Sequence, residues 1–285
     1  MALAPEVAGL VLFAAFLHAS WNALLKSDVD RLVSMALVIA SGAGVGLLAA
    51  PFVPLPGSEA WPFIVASVAT HHFYYFFLFQ AYRSGDLNHV YPIARGLGPL
   101  LVALLSGRFT GQALTASEAI GVLLVSCGIA SLAFARGWPR GGERSPVTFA
   151  ALTGLAIAVY TVVDGIGARR AGSVLGYIVW LHICDGPWVL ILALVLRRRR
   201  LVPYLARYWW RGAGGGVIAM LGYGIVIWAL SGGAMAHVAA LRETSVIFAS
   251  AIGTLVLRES LGHWRIGAAV VVASGLILMN LPLEE

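Results

Sequence analysis

HVYPIARGLGPLL, residues 89–101, sets two prolines, two glycines and an arginine inside a run that is otherwise as apolar as a membrane helix. Its meaning comes from an echo in the second half of the chain. A shift of 148 residues lays His89-Val90 on His237-Val238, Gly85 on Gly233, Ala81 on Ala229 and Tyr75 on Tyr223. The same register sets Arg95 opposite Glu243. With slips of one or two residues, AIGVLLVSCGIAS (119–131) follows RIGAAVVVASGLI (265–277), and HASWNALLK (18–26) loosely follows IAVYTVVDG (157–165). A repeat therefore covers most of each half.

The setting of this repeat is lipid. Hydrophobic residues fill 60% of 285 positions and charged ones 11%, against roughly 25% charged in soluble domains. Polar and Gly/Pro punctuation divides the apolar runs into ten spans: 5–26, 32–52, 61–83, 88–107, 115–135, 146–168, 173–196, 212–231, 235–257 and 261–282. Each supplies about the 20 residues that a crossing needs. The first has no basic region before it and no small-residue cleavage pattern after it, so it reads as a helix rather than a secretion signal.

The connector RGWPRGGERSP (136–146) places five spans on either side. An odd number makes the second half enter with opposite polarity. The expected fold is all-α and integral to the membrane: ten transmembrane helices as two inverted five-helix repeats, residues 1–140 and 141–285, around a central cavity. With both repeats in one chain, a monomer suffices.

Cys127 and Cys184 lie inside spans and read as packing residues, and no metal or other cofactor is expected. The net charge of +6 sits between spans, where it sets orientation and does not point to nucleic acid. Lys26, Arg31, Arg83, Arg136, Arg140, Arg144, Arg197, Arg198, Arg199, Arg200, Arg207, Arg211, Arg258 and Arg265 fall on one side, and Arg108, Arg169 and Arg170 on the other. Fourteen against three places both termini away from the cytoplasm. SGAGVG (41–46) and GAGGGVIAMLGYG (212–224) lack the Lys-Ser/Thr of a phosphate loop and read as close helix packing.

SWNALLK (20–26), HVYPIARGLGPLLVALLS (89–106), ALRETSVIFASAIGTLVLRE (240–259) and IGAAVVVASGLIL (266–278) resemble the EamA-type, ten-helix branch of the drug/metabolite transporter superfamily. The resemblance spans the whole chain and implies two inverted five-helix bundles around a central cavity, with export of amino acids, other metabolites or drugs across a bacterial-type inner membrane. Two departures stand out. Many relatives keep both termini in the cytoplasm. The acid that similar proteins carry after the fourth helix is replaced by Arg108, while Glu259 keeps it in the second half.

Charges inside spans cost about 2.5–3.5 kcal/mol each near the bilayer centre, so Arg95, Asp164, Asp185, Arg242 and Glu243 need partners or a wet cavity. Arg95 is flanked by Pro92, Gly96, Gly98 and Pro99, which read as a hinge beside the substrate path. Two roles compete for Arg95: substrate contact, or pairing with Glu243. Arg242 and Glu243, about 100° apart on a helix, are expected to need separate partners. Asp164 reads as an interface residue or a partner of Arg169. His182 and Asp185, three apart in one turn, either satisfy a kinked helix at Gly186-Pro187 or carry protons, the first reading weighing slightly more.

Aromatic residues speak to the substrate. His71, Tyr75, Leu78 and Tyr82 form one stripe, with Phe73, Phe76 and Phe77 facing lipid or neighbouring helices. With Trp21, Asn22, Tyr91, Tyr160, Tyr223 and Trp228 they make an apolar-walled cavity with a few polar groups. Such a cavity suits a small zwitterion with an apolar side chain, and a sugar phosphate would want more Lys or Arg. The expected activity is therefore export of amino acids with hydrophobic or aromatic side chains by alternating access, rather than catalysis. A lipophilic-cation exporter using Asp185 or Glu243 is the second reading, and a membrane enzyme acting on lipid-linked substrates is the third.

Overall fold

The computed structural model describes residues 3–26, 30–84, 87–135, 144–255 and 262–281. In lipid an unpaired backbone N–H costs several kcal/mol, and a helix satisfies its own, so each apolar run folds as one. The elements are α1 (Pro5–Lys26), α2 (Arg31–Ala49), α3 (Trp61–Ser84), α4 (Leu87–Thr110), α5 (Ala116–Ser131), α6 (Arg144–Arg170), α7 (Val174–Ser231), α8 (Met235–Arg242), α9 (Ser245–Leu255) and α10 (His263–Asn280). No strand occurs among the described residues.

Polar residues close the helix ends that apolar runs leave open. The Asp30 carboxylate accepts from Val33 N at 3.4 Å, and Ser173 Oγ from Gly176 N at 3.0 Å. Thr115 and Glu118 form a reciprocal box at the start of α5, each side chain accepting from the other's backbone N–H. Gly111 and Gly172, with φ of 70° and 67°, end α4 and α6 in the left-handed conformation that glycine adopts without strain.

Among the described residues eight helices are long and apolar enough to cross a membrane, and the departures from ten even spans are local. Helix α7 runs for 58 residues through both expected spans 7 and 8, with non-helical backbone at Arg197 (φ −137°) and Tyr208 (φ −128°). At 1.5 Å per residue it is far longer than the ~30 Å of a bilayer's hydrocarbon. The expected span 235–257 is broken into α8 and α9, of 8 and 11 residues, each too short to cross alone. Helix α4, where the sequence led us to expect a break, runs unbroken through Pro92 and Pro99.

Packing pairs helices of one half with helices of the other. α2 lies against both limbs of α7, α3 and α4 against α6, α1 against α7 and α9, and α5 against α10. Small residues allow this. A Cβ on Gly216 would sit 2.6 Å from Ser41 Cβ and 2.7 Å from Val38 O of α2, and one on Gly186 would sit 2.3 Å from Ala43 Cβ. Gly121 and Gly275 meet in the same way between α5 and α10, a Cβ on the first falling 2.6 Å from Gly275 O. Lipid offers no hydrophobic drive for helix association, so such close approach is what holds the helices together.

Gly216→Val is expected to cost about 1–3 kcal/mol or more, because backbone atoms stand where its side chain would go. Gly214→Val, with nothing within 4 Å of its Cβ, should be near neutral. Thermal melting followed by tryptophan fluorescence compares the two, and equal melting would refute the close-packing account.

Phe73, Phe76 and Phe79 of α3 point outward, each more than half exposed, as the stripe requires for a helix facing lipid. Inside, the largest apolar cluster draws Val11 and Ala14 of α1, Val102 of α4, Val162 of α6, Leu230 of α7 and Met235 of α8 into one core.

Candidate functional site

Four consecutive polar residues, Arg242, Glu243, Thr244 and Ser245, stand at the junction of α8 and α9, and all four are buried. A continuous helix would point them in four directions. The break prevents this: Thr244 Oγ1 donates to Leu241 O at 2.7 Å, competing with the helix ladder, and Thr244 N turns to Leu241 O at 3.0 Å. Glu243 becomes the C-cap of α8 and reaches the centre of the molecule with no exposed surface.

There Glu243 is held by two arginines. Arg95 Nε lies 2.7 Å from Glu243 Oε2, and Arg95 Nη2 donates to Ser245 Oγ at 2.8 Å. Arg242 Nη2 donates to Glu243 Oε1 at 3.4 Å and Nη1 to Thr161 Oγ1 at 3.4 Å. Of the two roles competing for Arg95, pairing is therefore realised. The expectation that Arg242 and Glu243 need separate partners fails, because the helix geometry behind it ends at residue 242.

The triad carries two positive charges and one negative. Arg242 holds the surplus more loosely: both its hydrogen bonds are 3.4 Å, against 2.7 and 2.8 Å for the contacts of Arg95. Its guanidinium lies 5.9 Å from the centre of the Tyr160 ring, and that of Arg95 5.8 Å from the Tyr91 ring.

From Tyr160 an aromatic cluster leads away from the triad. His71 stacks on Tyr160 at 4.3 Å, Tyr223 meets both edge-on at 5.7 and 5.9 Å, and Tyr74 meets Tyr160 at 5.9 Å. His182 approaches Tyr223 at 6.4 Å. Beyond the rings stand two acids. Asp164 accepts from Tyr177 Oη at 2.8 Å and closely from Tyr223 Oη. Asp185 accepts from Tyr75 Oη at 3.2 Å, while its Oδ1 lies 3.9 Å from His72 Nδ1 without a hydrogen bond.

These placements revise several expectations. Asp164 is an interface residue, but its partners are Tyr177, Tyr223 and Ser67, and Arg169 turns to Leu230 O at 3.5 Å instead. His182 bonds Ile178 O at 2.8 Å, in line with the favoured reading that it satisfies its own helix backbone, while Asp185 turns to Tyr75 and lies near His72.

Of the candidate residues, His71, Tyr75, Tyr160 and Tyr223 come together, and Tyr91 joins the triad through Arg95. Trp21 and Asn22 do not join them. Asn22 donates to His18 O at 2.7 Å and Trp21 meets His18 edge-on at 5.3 Å. Trp228 is 44% exposed and joins no ring of the cluster. The side chains of Tyr82 and His89, and Glu259, lie outside the described residues.

Pro92 and Pro99 are buried within α4, and Gly96 packs on α5, a Cβ there meeting Ser126 O at 2.8 Å. Sequence reasoning passed over Tyr177, Thr161 and Ser245 as partners. Tyr177 was findable, because in the α6–α7 hairpin it stands at about the depth of Asp164. Among the described residues no group of three His, Cys, Asp or Glu could hold a metal ion.

The EamA-like transporter family matches residues 144–281. No curated protein matches the chain. A solved crystal structure superposes with a TM-score of 0.77, covering 96% of each chain at 20% identity, a likeness of fold alone. Apolar helices long enough to cross a membrane surround this buried polar centre, and the second half of the chain, residues 144–281, matches the EamA-like transporter family.

Proposed function

We propose that the protein exports amino acids with hydrophobic or aromatic side chains across a bacterial-type inner membrane by alternating access. One observation carries the reading: a buried triad with one surplus guanidinium, that of Arg242, set over an aromatic wall of Tyr160, His71 and Tyr223. A carboxylate neutralises that surplus, and an apolar side chain lies against the rings. On the far side Asp185 keeps one carboxylate oxygen without a hydrogen bond for an ammonium group.

The same reading takes the chain as two inverted repeats, 1–140 and 141–285, with ten crossings. The two limbs of α7 supply two of them, and α8 with α9 supplies one. In support, the register partners Arg95 and Glu243 touch, and Tyr75 and Tyr223 both bond a buried acid. The arginine-rich side, which includes the elbow of α7, faces the cytoplasm and both termini face away. In α4 the prolines leave the carbonyls of Asn88 and Arg95 without the donor four residues on, so the helix bends there at the least cost, beside Gly96 and Gly98.

Proteoliposomes loaded with labelled phenylalanine, choline, tetraphenylphosphonium or a sugar phosphate test the substrate. Phenylalanine is expected to cross faster than in protein-free vesicles; movement of a cation or sugar phosphate without any amino acid would overturn the assignment.

A second reading, lipophilic-cation export, draws on one finding: Asp185, unlike Glu243, is not paired with an arginine. Asp185→Asn separates the two. Under the amino-acid reading it weakens zwitterion transport by about tenfold or more, the scale of losing a charged hydrogen-bond partner, and leaves cells' resistance to cationic dyes unchanged. Loss of dye resistance instead would favour the cation reading.

A further inference from the structure

The elbow of α7 is chemically unlike its two limbs. Between the non-helical points at Arg197 and Tyr208 runs RRRLVPYLAR (198–207), about 15 Å of helix and half of what a crossing needs. One face is docked on protein. Leu201 is 1% exposed, against Val33 and Leu37 of α2, and Ser34 Oγ donates to Tyr204 Oη at 3.0 Å.

The rest of the elbow is uncovered. Arg198, Arg199 and Arg207 are exposed, and so are Val202 (61%), Trp209 (63%) and Trp210 (56%). Six arginines fall within residues 197–211, and no acid occurs between Asp185 and Glu243. The carboxylate of Asp30 serves two of them, Arg197 at 3.5 Å and Arg200 at 3.1 Å. Arg207 and Arg211 lie over the Tyr208 ring, at 5.6 and 4.9 Å from its centre, which sets cations and aromatic rings at one level.

A short helix docked by one face, with arginines, tryptophans and aliphatic side chains on the others, has the composition of a segment lying in the membrane interface. Guanidinium groups bind phosphate through paired hydrogen bonds, and the tryptophans settle at headgroup level beside acyl chains.

We propose that residues 197–211 form a binding site for anionic phospholipid headgroups. Arg198, Arg199 and Arg207 hold the phosphates, and Val202, Trp209 and Trp210 lie against the adjoining acyl chains. The site is separate from the buried triad and holds whatever the transported solute is.

The test is native mass spectrometry of the full chain released from micelles of mixed phosphatidylglycerol and phosphatidylcholine, with no transport substrate present. Wild type is expected to retain phosphatidylglycerol preferentially. Each arginine near an anionic surface is worth about fivefold, so R198Q/R199Q/R207Q should cut that preference at least tenfold, while Arg83→Gln leaves it intact. Equal retention of the two lipids by wild type, or an unchanged preference in the triple variant, overturns the proposal. So does displacement of the retained lipid by millimolar inorganic phosphate, which would mark a site for soluble anions.

If the triple variant does not fold, Arg198→Gln and salt take its place. Its preference should fall about fivefold and that of wild type should fall with added salt; constancy of both would overturn the site.

Discussion

Glu243→Leu is expected to be the most damaging single substitution in the molecule, lowering stability by about 3–5 kcal/mol. The substitution removes the one carboxylate between Arg95 and Arg242 and leaves two guanidinium groups buried without a counterion. Neither can escape to water, since their side chains are 4% and 5% exposed. Arg95→Met should cost less, because Arg242 still pairs with Glu243 and the site becomes neutral.

The double variant, Arg95→Met with Glu243→Leu, should be more stable than Glu243→Leu alone, as it leaves one uncompensated charge instead of two. Melting in detergent measures all three, and the coupling energy isolates the pair. Glu243→Leu melting within about 1 kcal/mol of wild type, below the range for a broken buried pair, would show that the triad does not hold α4 to the α8–α9 break.

Arg242→Gln should act on transport and spare the fold. Arg95 keeps Glu243 in the variant, at 2.7 Å, so little stability is lost. The surplus charge proposed to meet the substrate carboxylate is gone. Removing one member of a buried, charge-assisted contact costs about 2 kcal/mol or more, which corresponds to a rise of roughly 30-fold in the phenylalanine concentration for half-maximal transport. Choline or tetraphenylphosphonium movement should not weaken. Half-saturation that stays within about twofold of wild type, well under 1 kcal/mol, would take Arg242 out of the substrate site.

The sequence carried the helices and the charge pair further than it carried the geometry between them. Apolar runs and their punctuation located the helix ends, since the backbone in lipid has only the helix to satisfy it. The register of the sequence echo set Arg95 opposite Glu243, and the two touch.

Helix continuity differs between the two halves for a definable reason. Pro92 and Pro99 remove two backbone donors but fit helical φ, and α4, packed against α5 and α6, stays one continuous helix through them. In the second half four consecutive polar residues, with Thr244 bonding back to Leu241, break the helix with no proline at all. The tyrosines on Asp164 escaped notice because a charged residue in lipid is first sought a charged partner, and phenol groups serve as well. Trp21 and Trp228 were chosen by residue type, and type alone does not say which way a ring faces.

The clasp of α2 between the limbs of α7 bears on how such a chain moves. Gly42, Ala43 and Ser41 of α2 lie within van der Waals reach of glycines on both limbs, so α2 cannot part from α7 without opening that seam. The α5–α10 contact through Gly121 and Gly275 binds the last helices of the two halves in the same way. In the alternating-access cycle proposed above, the bodies that rock against each other would therefore be composite, each drawn from both ends of the polypeptide, and the line of opening would run across the proposed repeat boundary instead of along it.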